Sequence, residues 1–372
     1  MSEHRLTPLH DIIEALVNAR KSFVSYRLPG QETPTTIIGN CQHFSSSEAI
    51  PYDVTGFIMV PFSPDCEEKL VFSQPEWKLN GWNCAFKPSA VIEKSVTIHS
   101  DRALPIIADE KTYKHQAARM IAEMQQHTLR KVVLSRIIAQ TLPVGFTAGN
   151  FFASLCACYP QAFTYVMADG EQLWVGASPE TLLEVNNGRG RTMAVAGTRK
   201  ISSGNHSPLA WRDKEVTEQA YVCEMIRDVL NEEGITQFSE GPARAFQAGP
   251  VEHLRTVFDF EIPVSKHSLS LASALHPTPA VCGLPTTTAS KLIAETETHN
   301  RSYYAGYLGP VDKHNVRLFV NLRCMQIIGK KAYLYVGGGL TADSEINDEW
   351  QETRDKAATL LQLLLNNSSQ QA

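Results

Sequence analysis

The chain has 372 residues, 43% hydrophobic and 20% charged, which is an ordinary globular composition and enough to bury a sizeable core. Its formal net charge is −5 and it contains no basic block, so nucleic acid and an anionic membrane surface are not expected partners. We see no apolar leader, and no apolar run approaches the ~20 residues of a membrane span. The eight cysteines form no Cys-x-x-Cys pair, so we expect free thiols and a cytoplasmic protein.

The first part of the chain, residues 1–105, carries the weakest signals and no candidate chemistry. The elements predicted there are one helix and three strands, at His10–Ala19, Ser22–Leu28, Thr36–Gly39 and Val54–Phe62. We expect this part to complete the core around a catalytic region at 106–366, in one integrated domain. Residues 367–372 are polar and are expected to form a disordered tail.

The first candidate residue is a lysine inside an apolar strand. A helix predicted at Tyr113–Gln126 is followed by a strand predicted at Arg130–Ala139, whose alternation places Lys131, Val133 and Ser135 on one face. Burying a lysine costs free energy unless it is paired. Lys131 is therefore either a lysine at a strand mouth that reaches solvent or, if enclosed, a usable base, because desolvation favours the neutral amine.

The next candidates follow two predicted strands, Ala162–Ala168 and Gln172–Gly176. Glu180 comes after Ser-Pro and before an apolar pair, a pattern more typical of a turn acid than of a catalytic one. The stretch Thr192–Lys200 then leads a buried strand into Gly197 and Thr198, which fits backbone contact with a ligand.

A carboxylate is also predicted on the apolar face of a helix. The helix at Asp213–Asn231 has an apolar stripe that includes Val222, Met225 and Val229. Glu218 lies 4, 7 and 11 positions before these residues and projects onto the same stripe. An inward carboxylate needs a cation or a hydrogen-bond donor. The alternative is a glutamate at the rim of the stripe.

The C-terminal part is predicted to be rich in strands and to end in a helix. The elements are two strands within Gln247–Pro263, helices Ser268–Leu275 and Thr288–Glu297, strands Tyr303–Gly309, Val316–Ile328 and Lys331–Val336, and the terminal helix Glu349–Leu365. In that last helix Glu349 and Glu352 are three residues apart and share a face, just after the glycines Gly337–Gly339. This suits a hydrated Mg²⁺ that holds a carboxylate substrate. On this stretch alone, helix-dipole preference and a capping box from Asp348 to Gln351 are the more ordinary explanation of the acids.

Taken together, these segments resemble the chorismate-utilising enzymes, and among them the isochorismate synthases of menaquinone or siderophore type. The resemblance covers residues from about 108 to 365. It rests on motifs in the family's order: Lys131–Arg136, Ala177–Glu180, Ala196–Arg199, Lys214–Val222, His276–Val281, Arg323–Cys324, Gly337–Gly339 and Glu349–Thr353.

The resemblance implies roles for residues at matching positions. Lys131 would deprotonate the attacking water, and Glu180 would protonate the departing C4 hydroxyl. Glu218 and Glu352 would bind Mg²⁺, the expected cofactor, with Glu349 nearby in the metal site. The substrate-binding positions that it implies are Gly197, Thr198, His276, Tyr304, Arg323 and Gly337.

The expected fold is α+β, with large antiparallel sheets packed together and helices outside. Many strands without regular βαβ alternation favour this class, and the resemblance implies it too. The expected activity is Mg²⁺-dependent conversion of chorismate to isochorismate, by water addition at C2 with loss of the C4 hydroxyl. One alternative is a salicylate synthase, which would go on to eliminate pyruvate and tends to have a tyrosine at position 304. Another is a non-catalytic carboxylate-binding relative.

The resemblance also bears on partners. The relatives that use ammonia have glutamine where this chain has Lys131, so a glutamine amidotransferase subunit is not expected. The expected partner is the small molecule chorismate, and the expected oligomeric state is a monomer or a weak homodimer.

Overall fold

The computed structural model describes residues 6–89, 103–126, 129–200, 211–248, 251–263 and 265–366. The predicted tail at 367–372 lies outside these ranges. The helices described are α1 Leu9–Asn18, α2 Glu110–Gln126, α3 Ala148–Cys158, α4 Asp213–Glu232, α5 Ser268–Leu275, α6 Thr286–Thr296 and α7 Ile346–Asn366. The first strands are β1 Thr7–Pro8, β2 Phe23–Arg27, β3 Thr35–Ile38, β4 Cys41–Phe44, β5 Gly56–Val60, β6 Lys69–Ser73, β7 Trp77–Asn80, β8 Asn83–Cys84, β9 Lys131–Thr141, β10 Phe163–Ala168 and β11 Leu173–Ser178. The later strands are β12 Thr181–Asn186, β13 Arg189–Lys200, β14 Phe238–Glu240, β15 Arg244–Ala248, β16 Val251–Glu261, β17 Gly283–Leu284, β18 Tyr307–Val311, β19 Asn315–Val320, β20 Cys324–Ile328 and β21 Lys331–Leu340.

Two large sheets form the frame. One has nine strands in the order β17-β9-β21-β20-β11-β10-β2-β3-β7. The other has ten strands in the order β14-β16-β13-β12-β19-β18-β5-β6-β4, and β15 pairs with β16. The described strand pairings are all antiparallel, which confirms the predicted fold class. Strands from the first hundred residues join both sheets.

The core lies between the two sheets, and strand β10 shows how the sequence builds it. Successive strand residues point to opposite faces. Phe163, Tyr165 and Met167 belong to the large core cluster, whereas Val166 and Ala168 belong to a second cluster that includes α1 and α3 residues. The Phe163 ring stacks on Phe319 of the ten-stranded sheet, with ring centroids 4.2 Å apart. Aromatic side chains therefore join the two sheets. Helices α1 and α3 pack on the opposite face of β10.

The chain passes from one sheet to the other at a break that the sequence prediction missed. Val316–Ile328 was predicted as one strand, which is wrong: β19 lies in the ten-stranded sheet and β20 in the nine-stranded sheet. At the break Arg323 has φ +47°, and the side-chain Nδ2 of Asn321 donates to the Tyr303 carbonyl at 2.9 Å. At this turn the Arg323 Nη1 reaches helix α7, where it donates to the Lys356 carbonyl at 3.2 Å.

The strand predicted at Tyr303–Gly309 begins only at Tyr307, because Ser302 and Ala305 have positive φ values of 51° and 62°. Such backbone conformations do not continue a strand. Among the described helices, none combines the length and the apolar character that crossing a membrane requires.

Candidate active site

A cavity of about 780 Å³, including its open mouth, is lined by both sheets and by helices α4 and α7. The nine-stranded sheet contributes residues of β9 and β21, and the ten-stranded sheet contributes residues of β13 and β16. Eight of the predicted site residues line it, namely Lys131, Glu180, Gly197, Glu218, Tyr304, Arg323, Gly337 and Glu352. Residues that are far apart in the chain thus meet at one place.

Lys131 is enclosed, so the alternative of a lysine that reaches solvent is wrong. Its side chain is 3% exposed, and its Nζ lies 3.7 Å from Oε2 of Glu218, whose side chain is 12% exposed. Gly339 of the neighbouring strand makes room for it: a methyl group there would lie 2.7 Å from Lys131 Cε. Glu218 accordingly faces inward from α4 and supplies the anion that a buried amine requires.

Glu180 is a buried carboxyl rather than a solvated turn acid. The residue is 4% exposed, and its backbone carbonyl accepts a hydrogen bond from the backbone amide of Val320 at 3.0 Å. Burial raises the pKa of Glu180 to about 8, against the opposing charges of Lys131 and Lys356. The carboxyl is therefore mostly protonated at neutral pH and can donate a proton.

Arg323 and Tyr304 line the part of the cavity beside Gly337. The Arg323 Nη1 donates to the Lys356 carbonyl at 3.2 Å, and burial lowers the pKa of Arg323 from its usual value. A methyl group on Gly337 would lie 2.9 Å from the Tyr304 hydroxyl oxygen. The absence of a side chain at Gly337 therefore lets the Tyr304 phenol approach the backbone of β21.

The two glutamates of α7 face a neighbouring glycine. A methyl group on Gly338 would lie 3.3 Å from Oε2 of Glu349 and 3.7 Å from Oε1 of Glu352. Glu349 is 2% exposed and accepts a hydrogen bond from Ser344 Oγ at 2.7 Å. Glu352 Oε1 lies 2.6 Å from Nζ of Lys356. Glu352 lines the cavity, whereas Glu349 is not among the described residues that line it.

These residues fit a hard divalent cation. The described residues hold no group of three or more His, Cys, Asp or Glu side chains arranged to bind a metal by themselves. Mg²⁺ does not need such a group, because it is usually bound by one or two carboxylates, waters and substrate oxygens. Glu218 and Glu352 line one cavity, and the bare backbone of Gly338 leaves space beside the carboxylates. The oxygen donors and the open space suit Mg²⁺.

The remaining predicted substrate-binding residues are Gly197, Thr198 and His276, and they do not all line the cavity. Gly197 lines the cavity with φ +65°, at a bulge of β13 where a methyl group would lie 2.8 Å from Glu215 Cβ. Thr198 continues this strand, but its side chain lies outside the described part of the structure. His276 is not among the described residues that line the cavity. Its Nε2 donates to the Ala305 carbonyl at 3.0 Å, and burial lowers the pKa of His276 to about 4. A contact of His276 with substrate stays a prediction that this geometry does not support.

Two basic residues that line the cavity, Lys356 and His253, were missed as site residues in the sequence. Lys356 donates to the Gly337 carbonyl at 2.9 Å, and its position four residues after Glu352 on a helix was the signal that could have found it. His253 is 8% exposed, and burial, followed by the charges of Arg323 and Lys356, lowers the pKa of His253 to about 3. A single histidine in a strand carries no comparable sequence signal.

Residues 85–365 match the family model of chorismate binding enzymes. The chain is 29% identical over 279 residues to the isochorismate synthase EntC of Escherichia coli K12, covering 72% of this chain and 70% of that protein. It is 28% identical over 274 residues to the isochorismate synthase DhbC of Bacillus subtilis, covering 69% of each. Its fold is similar to that of MenF, the menaquinone-specific isochorismate synthase from Escherichia coli, with a TM-score of 0.76 at 24% identity over 96% of this chain and 93% of MenF. Because the family model spans well over half of the chain, the chain belongs to the chorismate binding enzyme family.

Proposed function

We propose that this chain is an isochorismate synthase, which adds water at C2 of chorismate while the C4 hydroxyl leaves. One observation carries the proposal: a buried amine, Lys131, and a buried carboxyl, Glu180, line the same cavity. The raised pKa of Glu180, about 8, suits a proton donor at neutral pH. The names of the relatives EntC and DhbC support the same activity.

Substrate binding is assigned to the cationic side of the cavity. Chorismate carries two carboxylates, and a guanidinium can bind a carboxylate through two parallel hydrogen bonds. Arg323 is the guanidinium that lines the cavity, next to Tyr304 and Gly337. Lys356 brings a second positive charge to the same wall. These residues would orient the ring between Lys131 and Glu180.

The other substrate carboxylate is assigned to a Mg²⁺ ion held by Glu218 and Glu352, with Glu349 behind them. When bound, Mg²⁺ would neutralise this carboxylate and fix the ring in place. Geometry supports this assignment, because Glu218 and Glu352 line one cavity and Gly338 leaves space beside Glu352 and Glu349.

The proposed proton transfers balance. Lys131 takes a proton from water as its oxygen bonds to C2, the ring double bonds shift, and the C4–O bond breaks. Glu180 gives its proton to the departing hydroxyl, which leaves as water. Lys131 then carries an extra proton and Glu180 lacks one, and exchange with solvent restores both. Each transfer contributes roughly 10²–10⁴ in rate. Because water is the nucleophile, no amidotransferase subunit is needed.

Product analysis tests the proposal. The purified chain is incubated with chorismate, with Mg²⁺ or with a chelator, and the products are separated by chromatography. We expect isochorismate with Mg²⁺ only, and no pyruvate. Salicylate with pyruvate would replace the proposal by a salicylate synthase, and unchanged chorismate that still binds would make the chain a binding protein. Lys131→Ala is the matched control, which should be folded and inactive.

A further inference from the structure

A tyrosine that the proposed chemistry does not use lies behind the two glutamates of α7. Tyr113 of α2 is fully buried, and its ring packs on Trp350 of α7 with centroids 5.4 Å apart. A methyl group on Gly338 would lie 3.9 Å from the Tyr113 hydroxyl oxygen. The same point is 3.3 Å from Oε2 of Glu349 and 3.7 Å from Oε1 of Glu352. Three oxygen atoms therefore surround one open position above Gly338.

The Tyr113 hydroxyl has no hydrogen-bond partner among the described residues, although it is buried. Buried tyrosine hydroxyls usually find a partner, because leaving one without a hydrogen bond costs free energy. An ordered water often supplies it in a polar site. The position above Gly338, which lies within 4 Å of this phenol and of both carboxylates and carries no side chain, is a site of this kind.

Mg²⁺ is reluctant to lose its waters and usually keeps several of them when it binds to a protein. We propose that the Tyr113 hydroxyl holds a water of the Mg²⁺ hydration shell beside Glu349 and Glu352, which makes Tyr113 a positioning residue of the metal site. The inference rests on the proposed function, which supplies the metal. Side chains of this kind, which act through a ligand or a bound water, commonly change metal affinity by 10–100-fold when they are removed.

Isothermal titration of the full chain with MgCl₂ alone tests the inference. Tyr113→Phe keeps the ring that packs on Trp350 and removes only the hydroxyl. We expect about a tenfold weaker Mg²⁺ affinity in this variant. Its melting temperature without Mg²⁺ should not fall, because the lost hydroxyl has no protein partner in the described structure. A merely structural tyrosine would give the reverse pattern.

Tyr303→Phe is the matched control, because the Tyr303 hydroxyl is bonded to protein: it donates to the Glu68 carbonyl at 2.8 Å. This variant should melt at a lower temperature and keep its Mg²⁺ affinity. Equal Mg²⁺ affinity in Tyr113→Phe and the wild type would overturn the inference and leave the proposed function standing. A wild-type chain that binds no Mg²⁺ would contradict the proposed metal site, and this inference with it.

Discussion

Replacing Glu180 with glutamine should stop turnover and yet stabilise the fold, by an amount that depends on pH. Burial raises the pKa of Glu180 from 4.5 to about 8. Between these values the unfolded chain releases the proton whereas the folded chain keeps it, so this group makes the fold less stable as pH rises from about 4.5 to about 8. Each pH unit in this window costs about 1.4 kcal/mol, or roughly 3 kcal/mol by pH 7. Glutamine resembles the protonated acid and does not ionise.

The assay is the free energy of unfolding in urea, measured for the wild type and Glu180→Gln at about pH 5.5 and about pH 7.5. The advantage of the variant should grow by roughly 3 kcal/mol between the two pH values. Any constant effect of the amide cancels in this comparison. Glu232→Gln, an exposed position, is the control and should show no such change. Parallel pH dependence for Glu180→Gln and the wild type would refute the assignment of Glu180 as a protonated acid.

Three further outcomes are expected. Gly339→Ala should lower kcat about 100-fold in steady-state assays, because its methyl group would displace Lys131; kcat within about twofold of wild type would count against the assigned lysine position. Glu352→Gln should abolish the response of activity to Mg²⁺, and an unchanged Mg²⁺ titration would exclude Glu352 as a ligand. The kcat/KM of the wild type should fall about tenfold per pH unit above about pH 8, as Glu180 of the free enzyme loses its proton; a flat profile from about pH 8 to about pH 10 would contradict its acid role.

Sequence periodicity located elements that present one face to the core. The helix Ser268–Leu275 has the predicted bounds, and the helix predicted at Asp213–Asn231 ends one residue later, at Glu232. The helix Ala148–Cys158 was not predicted, although its Thr147 cap, which accepts from the Asn150 amide, is a recognisable start signal. The break within Val316–Ile328 could not be predicted locally, because an apolar run looks the same whether one sheet or two receive it.

The residue types of the site were predictable, but their environment was not. Glu218 was predicted from the helix period, and Lys131 and Glu180 gained their roles from the family resemblance. The enclosure of Lys131 depends on Gly339 from a neighbouring strand and on the approach of α4. His253 reaches the cavity only because β16 pairs with β13. These are long-range contacts, which local periodicity does not encode.

The origin of the new hydroxyl tests the central claim most directly. The chain is incubated with chorismate and Mg²⁺ in ¹⁸O-labelled water, and the product is analysed by mass spectrometry with fragmentation. The account predicts isochorismate with the label in its C2 hydroxyl, because solvent water is activated by Lys131 and the original C4 hydroxyl leaves. Isochorismate without label would mean that the hydroxyl moved within the molecule, and would contradict the roles of both Lys131 and Glu180.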